Sequence, residues 1–496
     1  MVLLPAAALL ALPLAASAYD NSRFDNVVAY WGQNSYGARN GNDPGNWQKS
    51  VDFYCNLDTM DVFPISFLTV AFSTGGLPAI NLANTCNPDV ADFFPGSQLL
   101  NCGFMQDQIK ACQARGKALT LSLGGETGAV TFPTNAQAEQ FADTVWNVFL
   151  GGSSSTRPFG NAVLDGVDLD IEGGGSPTFI AFINRLRTHF NGASKKYYIT
   201  GAPQCPYPDG NMQAMLNGAP FDAVYVQFYN NNCGLPQYNT TNFNFGTWDY
   251  WARNISPNKN VKVFVGAPAS ASAAGSGYVS ASSLTSIATS LRKRFPSFGG
   301  VMYWDASQAY NNGRFDTAIK NALVAAGGTG FTFPACTAPA FQTGQNYPAG
   351  TQVSYNNYIW QARWFASSVP NANIADTGEW VAVSACGGAP ITQTTTATTT
   401  TPGPTTSSTS TTTSRTTTST TSVPTNPSGN CAGVAAWIGS IAYVGGQQVT
   451  YKNHLWTAKW WTQNDLPDGA AGVWTDNGAC TSAKRSSRIY GRRRVD

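Results

Sequence analysis

The chain has 496 residues, with 29 Lys and Arg against 27 Asp and Glu, for a formal charge of +2. Phosphate binding needs a basic excess, so this balance argues against a nucleic-acid partner. Only 11% of residues are charged, against roughly 25% in an ordinary soluble domain, while 14 Trp, 20 Tyr and 49 Gly suit a neutral ligand with flat faces, such as a sugar.

Residues 2–18, VLLPAAALLALPLAASA, form an apolar run ending in Ala16-Ser17-Ala18. Small residues at that spacing fit a signal-peptidase site and predict a secreted chain starting at Tyr19, although the usual leading Lys or Arg is missing. A membrane anchor is the weaker reading, because the run falls short of the roughly 20 residues a bilayer requires and is broken by Pro5 and Pro13. No other stretch is long enough to span.

From residue 24 to 327, β-rich apolar runs alternate with helix-length amphipathic stretches. The predicted strands are Val27–Gly32, Ile65–Phe72, Ala118–Gly124, Gly166–Glu172, Tyr197–Ala202, Ala223–Phe228, Lys262–Ala267 and Gly300–Trp304, with helices such as Ala136–Leu150 and Phe179–Phe190 between them. Eight strands in about 300 residues predict an α/β fold, a (β/α)8 TIM barrel over residues 19–330. An open doubly wound sheet is the runner-up, but no Gly-x-Gly-x-x-Gly follows the first strand.

An internal repeat follows. Tyr347-Pro-Ala-Gly-Thr-Gln-Val-Ser-Tyr-Asn-Asn-Tyr-Ile-Trp parallels Tyr443-Val-Gly-Gly-Gln-Gln-Val-Thr-Tyr-Lys-Asn-His-Leu-Trp, and both copies run on to a Pro, a Trp and a closing Cys. They predict two small β-rich modules at 331–387 and 431–481. Between them, at 388–430, lies a linker in which 20 of the 34 residues from Thr392 to Thr425 are Thr and six are Ser. Such a tract buries nothing and stays extended, as O-glycosylated stalks do. A basic tail, 482–496, closes the chain; Lys484 to Asp496 contribute +5, leaving 23 basic and 26 acidic residues elsewhere.

Ten cysteines, at 55, 86, 102, 112, 205, 233, 336, 386, 431 and 480, suit an oxidising compartment. None forms Cys-x-x-Cys and the chain has two histidines, so neither a metal site nor a cofactor is expected. Six lie in the barrel region. The pairs Cys336 and Cys386, and Cys431 and Cys480, suggest one bridge per small module. Asn239-Thr-Thr and Asn254-Ile-Ser are N-glycosylation acceptors if exposed.

The most informative stretch is Asp165-Gly-Val-Asp-Leu-Asp-Ile-Glu172. Side chains alternate faces on a strand, so Asp168, Asp170 and Glu172 share one face and Val167, Leu169 and Ile171 the other. Acids about 6–7 Å apart on one strand repel and are costly to bury, so packing alone does not explain them. Crowding raises the pKa of at least one, as a general acid requires. A cation site is the alternative, but a rigid strand wraps a cation poorly.

Asp-Gly-x-Asp-x-Asp-x-Glu resembles the signature of family 18 glycoside hydrolases. Tyr30-Trp-Gly-Gln-Asn, Ser122-Leu-Gly-Gly, Ala202-Pro-Gln-Cys-Pro, Val226-Gln-Phe-Tyr-Asn, Ala274-Gly-Ser-Gly-Tyr and Gly299-Gly-Val-Met-Tyr-Trp resemble class III, hevamine-type chitinases of plants and fungi. The resemblance covers roughly residues 25–325. It implies a (β/α)8 barrel and a retaining, substrate-assisted hydrolysis of chitin and N-acetylglucosamine oligomers, in which the sugar's own acetamido group is the nucleophile. Glu172 would then be the general acid and base, Asp170 would orient the acetamido group, Asp168 would tune Asp170, and Tyr229 would donate to the acetamido oxygen. Trp304 would be the floor on which a sugar stacks. Gln227, Asn230, Tyr30, Gln33, Asn81, Gly125 and Gln204 would line the cleft. The resemblance also implies bridges Cys55–Cys112, Cys86–Cys102 and Cys205–Cys233.

The second small copy resembles the chitin-binding modules of families 5 and 12, with Trp456, Trp460 and Trp461 as binding rings. The first copy is more divergent, with Trp360 and Trp364 as its candidates. Trp380, Trp474 and Trp437 are expected in module cores, as Phe72 and Trp146 are in the barrel's. These features together predict a secreted, monomeric endochitinase, associated with a cell wall or another chitinous particle. The alternatives are a non-catalytic chitin-binding or inhibitor protein on the same barrel and an endo-N-acetylglucosaminidase acting on N-glycans. The retained Glu172 and Tyr229 speak against the first, and the binding repeats against the second.

Overall fold

A computed structural model describes residues 19–387 and most of 431–480. The apolar leader, the Thr-rich linker, the basic tail, Trp460 and Trp461 lie outside the described residues. Eight parallel strands form the central sheet: β1 (Asn26–Ala29), β2 (Val62–Val70), β3 (Ala118–Gly124), β4 (Gly166–Asp170), β5 (Tyr198–Gly201), β6 (Ala223–Gln227), β7 (Lys262–Pro268) and β8 (Phe298–Trp304). Each pairs with its sequence neighbour, and β1 also pairs with β8 (Asn26 opposite Gly300) and with β2 (Val28 opposite Val62), so the sheet closes into a TIM barrel. A short antiparallel strand, Ala79–Ile80, hangs on β2.

Strand alternation divides the apolar residues into two cores. Outward-facing side chains such as Val167, Leu169, Val224 and Val226 join the layer beneath the helices, whereas Val28, Val62, Tyr225, Phe264 and Met302 pack inside the barrel. The helix Asn135–Phe149 shows why the outer layer forms. Thr134 caps its N-terminus by accepting from the Gln137 N–H, and its buried face carries Phe141, Val145 and Phe149. Phe72 and Trp146 are partly buried against this outer core, as expected.

The observed strands lie close to their predicted positions. One boundary matters: β4 stops at Asp170, where its ladders with β3 and β5 run out, so Glu172 lies two residues past the strand end. Five disulfides close the cysteine list, Cys55–Cys112, Cys86–Cys102, Cys205–Cys233, Cys336–Cys386 and Cys431–Cys480.

The repeat is visible in the backbone. Gln352–Tyr355, Tyr358–Ala362 and Trp380–Ala385 form one antiparallel sheet, and Gln448–Tyr451, His454–Ala458 and Trp474–Ala479 form another. Each first hairpin turns on two residues of positive φ, Asn356-Asn357 and Lys452-Asn453, the geometry of a tight type I′ turn. Trp360 donates its indole N–H to the Tyr355 carbonyl, as Trp456 does to Tyr451. Trp380 and Trp474 are buried and Trp437 partly so, as core residues should be.

The two copies differ in what covers them. The first packs on the barrel helix Phe245–Asn254: Tyr250 meets Tyr358 and Trp360 at 5.4 and 5.5 Å between ring centroids, and the Tyr358 hydroxyl donates to buried Asp249 at 2.7 Å. Trp360 is 0% exposed, which corrects its reading as a polymer-binding ring, since a stacking surface must reach solvent. Trp364 is 45% exposed and remains available. No helix among the described residues is long and apolar enough to cross a membrane.

Candidate active site

A cleft of about 730 Å³ opens at the C-terminal ends of the barrel strands, where TIM barrels place their chemistry. The alternation of β4 delivers its acids there in layers. Asp168 is 0% exposed and lies beneath the cleft floor. Its Oδ2 accepts from the Tyr30 and Ser122 hydroxyls and its Oδ1 from Thr200, each at 2.7 Å. Burial pushes its pKa up, while these three donors pull against that shift.

Asp170, one layer higher, and Glu172, beyond the strand, both line the cleft. Burial first, then the charges of Glu172 and Asp168, hold the Asp170 carboxyl well above the usual carboxylate range. Burial also raises Glu172; the Gln227 hydrogen bond opposes that and the nearby Glu126 charge adds to it. The two carboxyls act on each other, the charge of Glu172 raising Asp170 and contact with Asp170 lowering Glu172, so Asp170 is the more strongly raised of the pair. The Gln227 Nε2 bridges them, 3.1 Å from Asp170 Oδ1 and 3.4 Å from Glu172 Oε1.

Tyr229 follows β6 by two residues and is nearly buried in the cleft wall. Burial, then the charges of Asp170 and Glu172, raise its pKa well above the ordinary phenol value, so it is a donor at any working pH. Its hydroxyl makes no hydrogen bond among the described residues. Asn230, at φ 57°, is fixed by accepting from the Ser276 N–H at 2.9 Å. Trp304 ends β8 and is partly exposed; it stacks on Phe67 at 5.9 Å and 14° and meets Tyr30 at 5.6 Å. Gly125, at φ +78°, brings its backbone against the Phe67 ring, where a Cβ would come within 2.8 Å.

Tyr30, Gln33, Gly125, Gln227 and Asn230 thus reach the cleft together with Asp170, Glu172, Tyr229 and Trp304. Asn81 and Gln204 do not. The Asn81 carbonyl accepts from Gln33 Nε2 at 2.9 Å, and the Gln204 amide is spent between Gln227 Oε1 and Asn231 Nδ2. Both therefore hold cleft residues from behind, which corrects their reading as cleft positions. Phe67, Arg39, Glu126 and Met302 line the cleft without having been expected. Glu126 directly follows Ser122-Leu-Gly-Gly, so its place after a barrel strand was a usable signal. Phe67 sits in an apolar run that reads as plain core. Asp209, buried beside the pair, accepts from the Gln204, Asn211 and Met212 N–H groups.

Residues 26–391 match the profile of glycosyl hydrolases family 18. The chain belongs to that family. Residues 436–475 match carbohydrate-binding module family 5/12. The family 18 chain is 48% identical over 309 residues to chitinase 2 of Rhizopus oligosporus, a match covering 62% of this chain and 54% of that protein. The chain spans about half the length of the curated relatives it matches. Among solved structures, the ICChI chitinase of Ipomoea carnea aligns at TM-score 0.50 and 30% identity, over 60% of this chain and 99% of that one. A xylanase and α-amylase inhibitor protein, crystallised with trehalose, aligns at TM-score 0.50 and 31% identity, over 60% and 98%. The fold is shared by an enzyme and an inhibitor, so the side chains in the cleft carry the functional argument.

Proposed function

We propose that the protein is a secreted endochitinase that hydrolyses β-1,4 linkages between N-acetylglucosamine units with retention of configuration. The observation that carries this reading is the Asp170–Glu172 pair: two crowded acids, both held above the ordinary carboxylate range by burial, bridged by Gln227 and lining one cleft with Tyr229, whose hydroxyl makes no hydrogen bond among the described residues. Glu172, nearest the open cleft, gives its proton to the glycosidic oxygen as the bond breaks. The acetamido oxygen of the same sugar attacks the anomeric carbon, so no protein nucleophile is needed. Tyr229 donates to that oxygen, and Asp170, anionic once its proton has passed to Glu172, orients the acetamido N–H and balances the cationic ring that forms. Glu172 then takes a proton from the water that opens this intermediate. Asp168, tied to three hydroxyls, supports Asp170 from below, and Trp304 with Phe67 supplies the flat apolar floor.

The named relatives support chitin as the substrate, and the family 5/12 match supports a second hold on the polymer through residues 436–475, Trp456 among them. Five disulfides suit an extracellular site of action. An inhibitor role would leave the carboxyl pair and the unpartnered Tyr229 hydroxyl without a task. Product analysis on colloidal chitin separates the readings: wild type should release oligomers of N-acetylglucosamine with the β-anomer first, and Glu172→Gln should release them at least about 100-fold more slowly. Absence of products from wild type, or release of the α-anomer, overturns the reading.

A further inference from the structure

The first small β-sheet does more than cover the barrel. Its Asp376 grips a single residue of the loop that follows β5: the Asp376 N–H donates to the Tyr207 carbonyl at 2.8 Å, and Asp376 Oδ2 accepts from the Tyr207 N–H at 2.9 Å. The same carboxylate accepts from Asn244 Nδ2 at 2.9 Å, and buried Arg363 lies 3.3 Å from its Oδ1. Asn244 also donates to the Cys205 carbonyl at 2.7 Å, so the loop is tied at Cys205 as well as at Tyr207.

That loop is the rear wall of the carboxyl pair. Gln204 donates to Gln227 Oε1 at 3.1 Å and thereby sets which end of the Gln227 amide faces Asp170 and Glu172. Asn211 donates to the Glu172 carbonyl at 2.9 Å. Asp209 organises both by accepting from the Gln204 and Asn211 N–H groups at 2.8 Å. Asp376 therefore holds the loop at Tyr207, three residues along the backbone from Gln204, whose side chain holds Gln227.

We propose that residues 331–387 act as a positioning element of the active site, with Asp376 as the positioning residue that clamps the Gln204–Asn211 loop behind Asp170 and Glu172. The inference rests on the glycosidase reading given above. It also explains why this copy of the repeat buries Trp360 and Tyr358 against the barrel: the face that a binding module would show to a polymer is spent on docking. The ligand class is unchanged; what the appendage adds is the orientation of the carboxyl pair.

The test uses the full chain and a soluble N-acetylglucosamine hexamer, with wild-type turnover in the same assay reading the glycosidase function and the variant-to-wild-type ratio reading the clamp. Asp376→Ala keeps the backbone bond to Tyr207 but leaves the Tyr207 N–H without its acceptor and takes one partner each from Asn244 and Arg363. A supporting group displaced by about 1 Å costs on the order of 100-fold, so a half-released loop should lower kcat by about tenfold while KM changes less than threefold. Gln227 hydrogen bonds favour the ionised carboxyls, so loosening it should also move the alkaline limb of the pH profile upward. Asp376→Asn, which retains an acceptor for Tyr207, should recover most of kcat and serves as the test if the Ala variant does not fold. Glu379→Gln removes an internal staple of the appendage, where Glu379 accepts from Ser367 and Ser368; it should lower Tm without moving the pH limb. A folded Asp376→Ala enzyme with wild-type kcat and pH profile overturns the proposal, as does an Asn variant no better than Ala or a Glu379→Gln variant with the same pH shift.

Discussion

Glu172→Gln should separate activity from stability in opposite directions. The substitution preserves shape and the contact with Gln227 Nε2 through the amide oxygen, but removes the group that gives and takes the proton. General acid–base catalysis is worth on the order of 10²–10⁴ in rate, about 3–5 kcal/mol at roughly 1.4 kcal/mol per decade, so kcat/KM on a soluble oligomer should fall by that factor. Stability should rise. Burial holds the folded Glu172 pKa above its unfolded value, so the folded state is favoured below the unfolded pKa and loses stability as pH climbs through the folded one. Gln never ionises and escapes that loss, by about 1.4 kcal/mol for each unit of elevation. Relief of Asp170 from its charged neighbour adds to the gain. In a domain of this size each kcal/mol raises Tm by about 2–4 °C. Melts at pH 7 should therefore show Glu172→Gln above wild type, and melts near pH 3.5 should show the two together. A variant within about tenfold of wild-type activity, or one that melts lower at pH 7, would refute the assignment of a strained, functional acid.

The pH profile carries the same physics. Because Asp170 and Glu172 are both raised, the alkaline limb of kcat/KM should lie above the ordinary glutamate value of about 4.3; a limb centred at or below that value, measured from pH 3 to 9, contradicts it. Tyr229→Phe removes one donor from a dry, charged site, and should lower kcat by about 10- to 100-fold with little change in KM. A rise in KM with kcat unchanged would mean that the hydroxyl only binds. Deleting residues 392–496 should cost activity on insoluble chitin several-fold and leave soluble oligomers untouched, since tethering raises effective concentration without adding chemistry; equal losses on both substrates would remove the tether from the account. Asp168→Asn should lower Tm as well as kcat, because the amide replaces one of two acceptor oxygens with a donor and leaves at least one of the three buried hydroxyls without its acceptor; an unchanged melt would show that those bonds do not hold the barrel centre.

Much of the molecule is local and therefore legible in the chain. Period-2 alternation over Gly166–Asp170 already assigns Asp168 and Asp170 to one face, because a strand has only two faces. The repeat, the strand list and the cysteine pairs of the small modules rest on similarly short-range patterns. What the chain order does not contain is which surfaces meet. Trp360 and Trp456 occupy the same place in two copies of one hairpin, yet only Trp360 is sealed, because Tyr250 of a barrel helix lies against it. Asn81 and Gln204 read like cleft residues and stand one contact behind it. The Asn81 backbone carbonyl answers to Gln33 and the Gln204 side chain to Gln227, partners 48 and 23 positions away in the chain. The carboxyl chemistry was set by a run of eight residues; the wall that orients it, from Asp376 to Gln227, exists only once parts of the chain 149 positions apart are folded together.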